Sequence, residues 1–390
     1  MKSYRALVGL LSAILLFPLT SCAQSIPEGN VASGEHAFKV VTVAEGFENP
    51  WAIAFLPGGD ILVTERPGRI RIIRNGVLLD SEVPGLPAIR TGNQGGLLDL
   101  ILHPDFANNR LVYISYSKPN ADDSEGTTAI IRARFENDAL VNVEEILEAK
   151  AWYRSRGHYG SRLAFDKDGY LFITIGDRQV PPRGELQEHN SQKLGDHFGT
   201  TLRIHDDGRV PQDNPFVGVE GAQPEIWSYG HRNAQGLAID PVTGNIWQHE
   251  HGPQGGDELN LTKRGVNYGW PVIGYGVNYG AGTPIHENSA KDGMEQPVHY
   301  WVPSIATSGI LVYTGEAFPQ WKGNIFVGGL AGEQLARLTM DGTRVLSEET
   351  LLSGIGRIRD VRQGPDGFIY LALDSRAGAK TPIVRLEPAQ

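Results

Sequence analysis

The chain has 390 residues, 48 glycines and 24 prolines, and its 45 acidic against 35 basic side chains give a formal charge of −10. Glycine and proline are spread along the chain, which indicates many short strands and turns, and no long basic run offers a nucleic-acid footprint. The single cysteine, Cys22, excludes a disulfide, a thiolate nucleophile in the body of the chain and a Cys-ligated metal, so any metal must rely on oxygen or imidazole.

The first 21 residues place Lys2 and Arg5 before an apolar run from Ala6 to Leu19, the layout of an export signal and too short for a good membrane span. Leu19-Thr20-Ser21-Cys22 looks like a lipobox, which predicts a periplasmic protein with a lipid anchor at Cys22, or a soluble exported one if cleavage falls near Ala23. Losing residues 1–21 leaves 33 basic against 45 acidic side chains, a charge of −12. Residues 22–40 are expected to be a linker and residues 41–390 one all-β domain.

Six segments of that domain share a polar turn followed by an alternating apolar strand. In chain order they start at Leu56, His103, Asp166, Asp240, Phe318 and Gly364. Their spacings of 47, 63, 74, 78 and 46 residues suit blades of about 40 to 50 residues with insertions. The expectation is a six-bladed β-propeller with four-stranded antiparallel blades; a sandwich or a pair of barrels would share some of the same turns. Polar residues follow the repeated strand at equivalent places, notably Asp177, Glu250 and Asp374. In a propeller those places share one end of the ring, where sites are built.

Four clusters could carry chemistry. In Ser155–Arg178, His158 precedes one strand and Asp177 follows the next, so a hairpin would bring together a base and an orienting carboxylate; the plain alternative is an exposed loop histidine. In Trp227–Asp240, Arg232 and Asn233 offer forked donors to a carboxylate or a polarised carbonyl, or merely tie down a turn. His249–Trp270 holds Asp257, Glu258 and Gly-rich turns whose carbonyls suit hard Ca²⁺; His249 and His251 alternate along a strand, so zinc is the weaker reading. Arg357 and Arg359 lie two apart on one strand face, a repulsive arrangement unless an anion sits between them.

Together HYGSRLAF…TIGDR, SYGHRNAQGLA, EHGPQGGDELNL…NYGWP and RIRDV resemble the soluble pyrroloquinoline quinone (PQQ)-dependent aldose and glucose dehydrogenases, over about Glu45 to Pro388. The resemblance implies a six-bladed propeller that oxidises aldoses at C1 to lactones and passes the electrons to an external acceptor. It implies that His158 is the general base for hydride transfer to the quinone and that Asp177 orients it. Arg232 would polarise the quinone oxygen, Asn233, Ser304, Arg357 and Arg359 would touch the cofactor, and Gln94 would lie near the substrate. It further implies one Ca²⁺ on the carbonyls of Gly252 and Pro253 beside PQQ, and a structural one on Glu258 and the backbone of Tyr268. The chain departs from the glucose-specific members at Ala331, where they carry a cofactor-binding lysine. A calcium-only propeller lactonase and a non-catalytic binding propeller are the competing expectations, and the chain is expected to be a monomer or homodimer.

Overall fold

The computed structural model describes residues 26–389, so the leader and Cys22 lie outside the described residues. Six antiparallel sheets stand around a central axis. Blade 1 comprises Pro50–Phe55, Ile61–Glu65, Arg69–Arg74 and Val77–Glu82, and blade 2 Leu97–Leu102, Leu111–Pro119, Gly126–Glu136 and Ala139–Glu148. Blade 3 comprises Leu163–Phe165, Leu171–Ile175, Thr200–Ile204 and Ile226–Tyr229, and blade 4 Ala234–Ile239, Ile246–Glu250, Asp257–Leu261 and His299–Trp301. Blade 5 comprises Thr307–Val312, Ile325–Gly329, Gln334–Asp341 and Arg344–Ser353. Blade 6 joins both ends of the chain: Arg357–Gln363, Ile369–Asp374 and Lys380–Pro388 are followed outward by Ala37–Glu48 and then Asn30–Ala32. The architecture is thus the expected six-bladed propeller, and its sheet takes in residues 37–40 that the sequence reading assigned to a linker. Phe38 supplies the reason: it is fully buried against Trp321 and packs where a charged linker could not.

The six repeated segments are the second strand of each blade. Five of the six, such as Leu171–Ile175 and Ile325–Gly329, are buried at every position, because neighbouring blades cover both faces of a middle strand. The expected alternation survives in the outer strand Ala37–Glu48, which is covered mainly on one side. Apolar clusters fill the wedges between blades; the largest, around Trp321, Phe326 and Leu371, joins blades 5 and 6.

Nearer the axis the blades are linked by polar side chains, in ring order. Thr64 donates to Leu98 O (2.7 Å), Ser115 to Ser161 O (2.7 Å) and Thr174 to Ala234 O (3.1 Å). His249 Nε2 bonds Gly309 O (3.1 Å), Ser308 donates to Arg359 O (2.8 Å), and the Ile53 amide donates to Asp360 (3.0 Å). Each bond crosses from one blade to the next, so the narrow inner end of the ring, where apolar wedges cannot fit, is held by satisfied hydrogen bonds. Below the site the axis carries the buried charges of Arg162, Asp99 and Asp360 and the half-buried Arg362. Arg162 pairs with Asp360 (2.9 Å), Arg362 pairs with both Asp99 (2.7 Å) and Asp360 (2.9 Å), and the Arg162 guanidinium lies 4.1 Å from the centre of the Trp51 ring. The axis is filled there with compensated charge.

Candidate active site

The hairpin of blade 3 performs the pairing expected of it. Leu163 faces Ile173 across the hairpin, so the residues before the first strand and after the second meet at one end. There His158 Nδ1 and Asp177 Oδ1 are 2.6 Å apart, both buried. Asp177 also accepts from Trp270 Nε1 (2.8 Å) and from the Gln179 amide (2.8 Å), so its oxygens are fixed from three directions. Gln94 Oε1 takes the His158 amide (2.8 Å), anchoring a histidine whose φ of 50° is unusual for a residue with a Cβ. Gly176 makes the approach possible: a Cβ there would stand 2.2 Å from the His158 carbonyl.

Burial lowers the His158 pKa, opposed by the Asp177 charge and reinforced by Arg232. Burial alone would raise Asp177, but the His158 interaction and the hydrogen bonds outweigh it and hold its carboxyl below the usual value. At neutral pH the ring is therefore uncharged, and a carboxylate on Nδ1 requires the proton there. Nε2 is left as a lone-pair base facing a cavity of about 270 Å³ lined by Arg232, Trp270, Pro181 and Tyr279.

Arg232 reaches this cavity from blade 4. Its Nη1 donates to the carbonyls of Gly252 (2.7 Å) and His251 (3.1 Å), and its guanidinium lies 5.1 Å from the Trp270 ring. Arg359 is buried between Gln235 Oε1 (2.9 Å) and Ser308 Oγ (3.1 Å), and Arg357 donates to Leu330 O (2.9 Å). Both arginines flank Asp374, at 3.7 and 3.5 Å, so the anion required between them is present. One carboxylate for two guanidinium groups still leaves positive charge, and burial pushes Arg359 down to about 9 despite Asp374. Arg232 Nε and Asn233 Nδ2 are buried donors without a hydrogen-bond partner. Such donors each cost roughly 1–3 kcal/mol, so the site is shaped for an acceptor-rich, anionic ligand.

The His251–Gly256 loop presents carbonyls beside Arg232. Asp257, expected among the metal residues, accepts instead from the Gly252 amide (2.9 Å), the Thr307 amide (3.3 Å) and Ser304 Oγ (2.7 Å). Its carboxylate shapes the loop, and Ser304 is held by it. Glu258 and Tyr268 line a second, small void with Glu250, Arg232, Gly230 and Pro253. Burial raises Glu258 well above the usual carboxylate value, and the nearby Glu250 and Asp257 charges raise it further. Among the described residues no three His, Cys, Asp or Glu side chains gather as a metal cluster, so carbonyls must supply most ligands of any cation held here. His249 and His251 bond separate carbonyls, Gly309 and Thr307 (2.8 Å), and so do not form a zinc pair.

Sequence reasoning missed Trp270 as the second donor to Asp177 and the buried chain Ser228–His231–Glu250, whose bonds are 2.9 and 2.8 Å and which ends on the Arg232 amide. Tryptophan in a loop and histidine in a turn carry no periodic signal, and only tertiary placement reveals them.

Comparison with known proteins agrees with this geometry. The Glucose / Sorbosone dehydrogenase family model matches residues 47–385. The chain is 39% identical over 344 residues to aldose sugar dehydrogenase YliI of Escherichia coli, covering 87% of this chain and 91% of that protein. It is 28% identical over 454 residues to quinoprotein glucose dehydrogenase B of Acinetobacter calcoaceticus, covering 97% and 94%. The solved PQQ-bound aldose sugar dehydrogenase of Streptomyces coelicolor superposes with a TM-score of 0.72 at 29% identity, covering 90% of this chain and 98% of that one.

Proposed function

This chain belongs to the glucose/sorbosone dehydrogenase family, and from that premise we propose that it oxidises aldose sugars at C1 to the lactone, with PQQ and Ca²⁺ bound at the open end of the ring. It is an oxidoreductase of sugars. The observation that carries the reading is the buried, neutral His158 held by Asp177, in a site with two unpartnered buried donors, Arg232 Nε and Asn233 Nδ2.

The His158 lone pair on Nε2 takes the proton of the C1 hydroxyl as hydride leaves C1, which turns the hemiacetal carbon into the lactone carbonyl. Asp177 stabilises the imidazolium so formed and fixes the tautomer that can accept the proton. When bound, PQQ supplies the two-electron acceptor for that hydride, with Ca²⁺ as the Lewis acid that polarises it. The unpartnered Arg232 Nε and Asn233 Nδ2 suit quinone oxygens, and Arg357 and Arg359 suit carboxylates. The carbonyls of Gly252 and Pro253 would hold the first Ca²⁺; that of Gly252 already takes an Arg232 N–H and keeps a second lone pair. Glu258 and the Tyr268 carbonyl would hold the second, in a void that Glu258 shares with Glu250. Electrons then pass to an external acceptor. The leader supports export and lipidation at Cys22, and a diacylglyceryl mass on the purified N-terminal peptide is the expected result.

The test is dye reduction by metal-stripped protein given glucose or xylose. Activity is expected only with PQQ and Ca²⁺ together and is expected to fall by about 10²- to 10⁴-fold in His158→Ala. Absence of PQQ binding would sink the proposal.

A further inference from the structure

Ile26, four residues after Cys22, is a fixed point on the ring. It packs against the apolar cluster of Trp321, Phe326 and Leu371 between blades 5 and 6. The segment that follows is clamped as well: Glu35 pairs with Arg337 (2.6 Å), and the Gly34 amide donates to Glu349 (2.8 Å). Ile26 shares a groove with Glu333, Gly354, Arg357 and Asp374, which places it at the end of the ring that carries the site arginines. Strand directions agree. Ala37–Glu48 runs toward that end, because Asn49, next after it, donates to Asp374 (2.7 Å). Asn30–Ala32 lies antiparallel to it, with Ala32 opposite Ala37 and Asn30 opposite Lys39, so the chain traced back from Asn30 heads for the same end. The reach of a lipid on Cys22 is then bounded by covalent geometry. Four residues span about 14 Å at full extension. The groove of Ile26 also holds Glu45, and Ala37, at the closed end of the same strand, lies eight residues or about 26 Å from Glu45. Acyl chains on Cys22 therefore meet a bilayer at the open end of the ring or beside its rim, and the closed end is out of reach.

A tether at one rim would still let the ring lie on its side, and a second feature decides between the two postures. Tyr300 (47% exposed) and Val302 (62% exposed) stand at the same open end on blade 4. The Tyr300 ring is stacked on Tyr275 with centroids 4.0 Å apart, and Val302 lies against Gly255, where a Cβ would stand 3.6 Å from it. Val77, Val143, Val219, Val242 and Leu346 are also exposed, but they stand singly on blades 1 to 5 and need no partner. A tyrosine beside a valine suits the boundary between headgroups and acyl chains, where the ring is covered and the hydroxyl stays wet. We propose that the open, cofactor-binding end of the ring is the surface this protein turns to the lipid bilayer, held by the acylated Cys22 at the rim of blades 5 and 6 and touching down through Tyr300 and Val302 at the rim of blade 4. The groove beside Ile26 carries Arg376 and Lys380 against Glu45 and Glu333, so the tether rather than headgroup charge does the holding there. The His158 cleft then opens onto the gap beneath the ring, which sugars enter from the side and where an electron acceptor held in the membrane is nearest. This orientation rests on lipidation at Cys22.

The experiment uses the full-length lipidated protein in vesicles of phosphatidylethanolamine and phosphatidylglycerol that contain headgroup-spin-labelled lipid. Cys22 is the only cysteine and its sulfur is taken by the lipid, so one introduced cysteine carries a fluorophore alone. Three variants are compared: Ala377→Cys beside Ile26, Val302→Cys on the blade 4 rim, and Val242→Cys in the turn at the closed end of blade 4. The two blade 4 positions are separated by the five residues of Ile246–Glu250, about 17 Å of strand. Labels at positions 377 and 302 are expected to lose most of their emission to the spin label, and the label at 242 to keep it. A second readout is the rate at which a polyethylene-glycol maleimide modifies each unlabelled variant: vesicles should slow it at 377 and 302 relative to detergent and leave it unchanged at 242. An N-terminal peptide without the diacylglyceryl mass overturns the tether and this orientation with it. A lipidated protein that floats with the vesicles, yet is quenched at 377 alone, at 242, or nowhere, overturns the orientation and leaves the lipidation standing.

Discussion

At the scale of single residues, the site depends on keeping His158 neutral yet oriented. Replacing it by alanine should lower kcat by about 10²- to 10⁴-fold while PQQ binding persists, as equilibrium titration of the apo-protein would show. The pH profile follows from the direction of its shift. Because burial lowers the folded pKa, the free base survives below the ordinary histidine value, and the acid limb of kcat/KM should lie under pH 6.5. In Asp177→Asn the charge that opposes burial is gone, so the limb should move to still lower pH while kcat falls. A limb that moves upward would contradict the assigned pairing. Trp270 lends the second hold on Asp177 from a loop of blade 4, so the orientation of the base is set by two blades.

At the scale of elements, the loop after Ile246–Glu250 is organised by one carboxylate. Asp257 collects two amides and a hydroxyl, and Asp257→Ala would leave the buried Gly252 and Thr307 amides without their acceptor, at about 1–3 kcal/mol each. The expected outcome is a lower melting temperature together with a rise of about tenfold or more in the Ca²⁺ concentration for half-maximal activity, since the Gly252 carbonyl would no longer be held. This is also where the reach of sequence reading can be judged. The hairpin that joins His158 to Asp177 was legible, because turn and strand signals fixed which ends meet. That Arg357 and Arg359 need an anion beside them was legible, but its source was not: a ligand was expected, and the Asp374 carboxylate of the neighbouring strand stands there. The role of Asp257 was not, since an acidic residue in a glycine-rich loop reads equally as a ligand or as an acceptor for backbone amides. Nor was the total burial of the middle strands, because polar or charged residues such as Thr64, Glu65 and Gln248 break the apolar pattern and are satisfied only once neighbouring elements exist. The outer strand Ala37–Glu48 was partly read as linker because its partner, Lys380–Pro388, lies at the far end of the chain.

At the scale of the whole molecule, a ring of blades is only as stable as its links, and one of those links titrates. His249 bonds Gly309 across blades 4 and 5, is fully buried, and has its pKa lowered to about 4 by burial. The sign is fixed by that direction. Between about pH 6.5 and pH 4 the unfolded chain binds a proton that the folded ring refuses, so stability is complete above the unfolded value and is lost as pH falls. From pH 6.5 to pH 5 this one residue should cost roughly 2 kcal/mol, at about 1.4 kcal/mol per pH unit. His249→Gln keeps a side-chain N–H able to reach the Gly309 carbonyl but cannot titrate. Thermal melts at pH 7 and pH 5 should therefore show the wild-type midpoint falling more steeply than that of the variant, whatever the variant loses at pH 7. Equal slopes would mean that water reaches His249 and that the inner end of the ring opens far more readily than its closed network of hydrogen bonds implies.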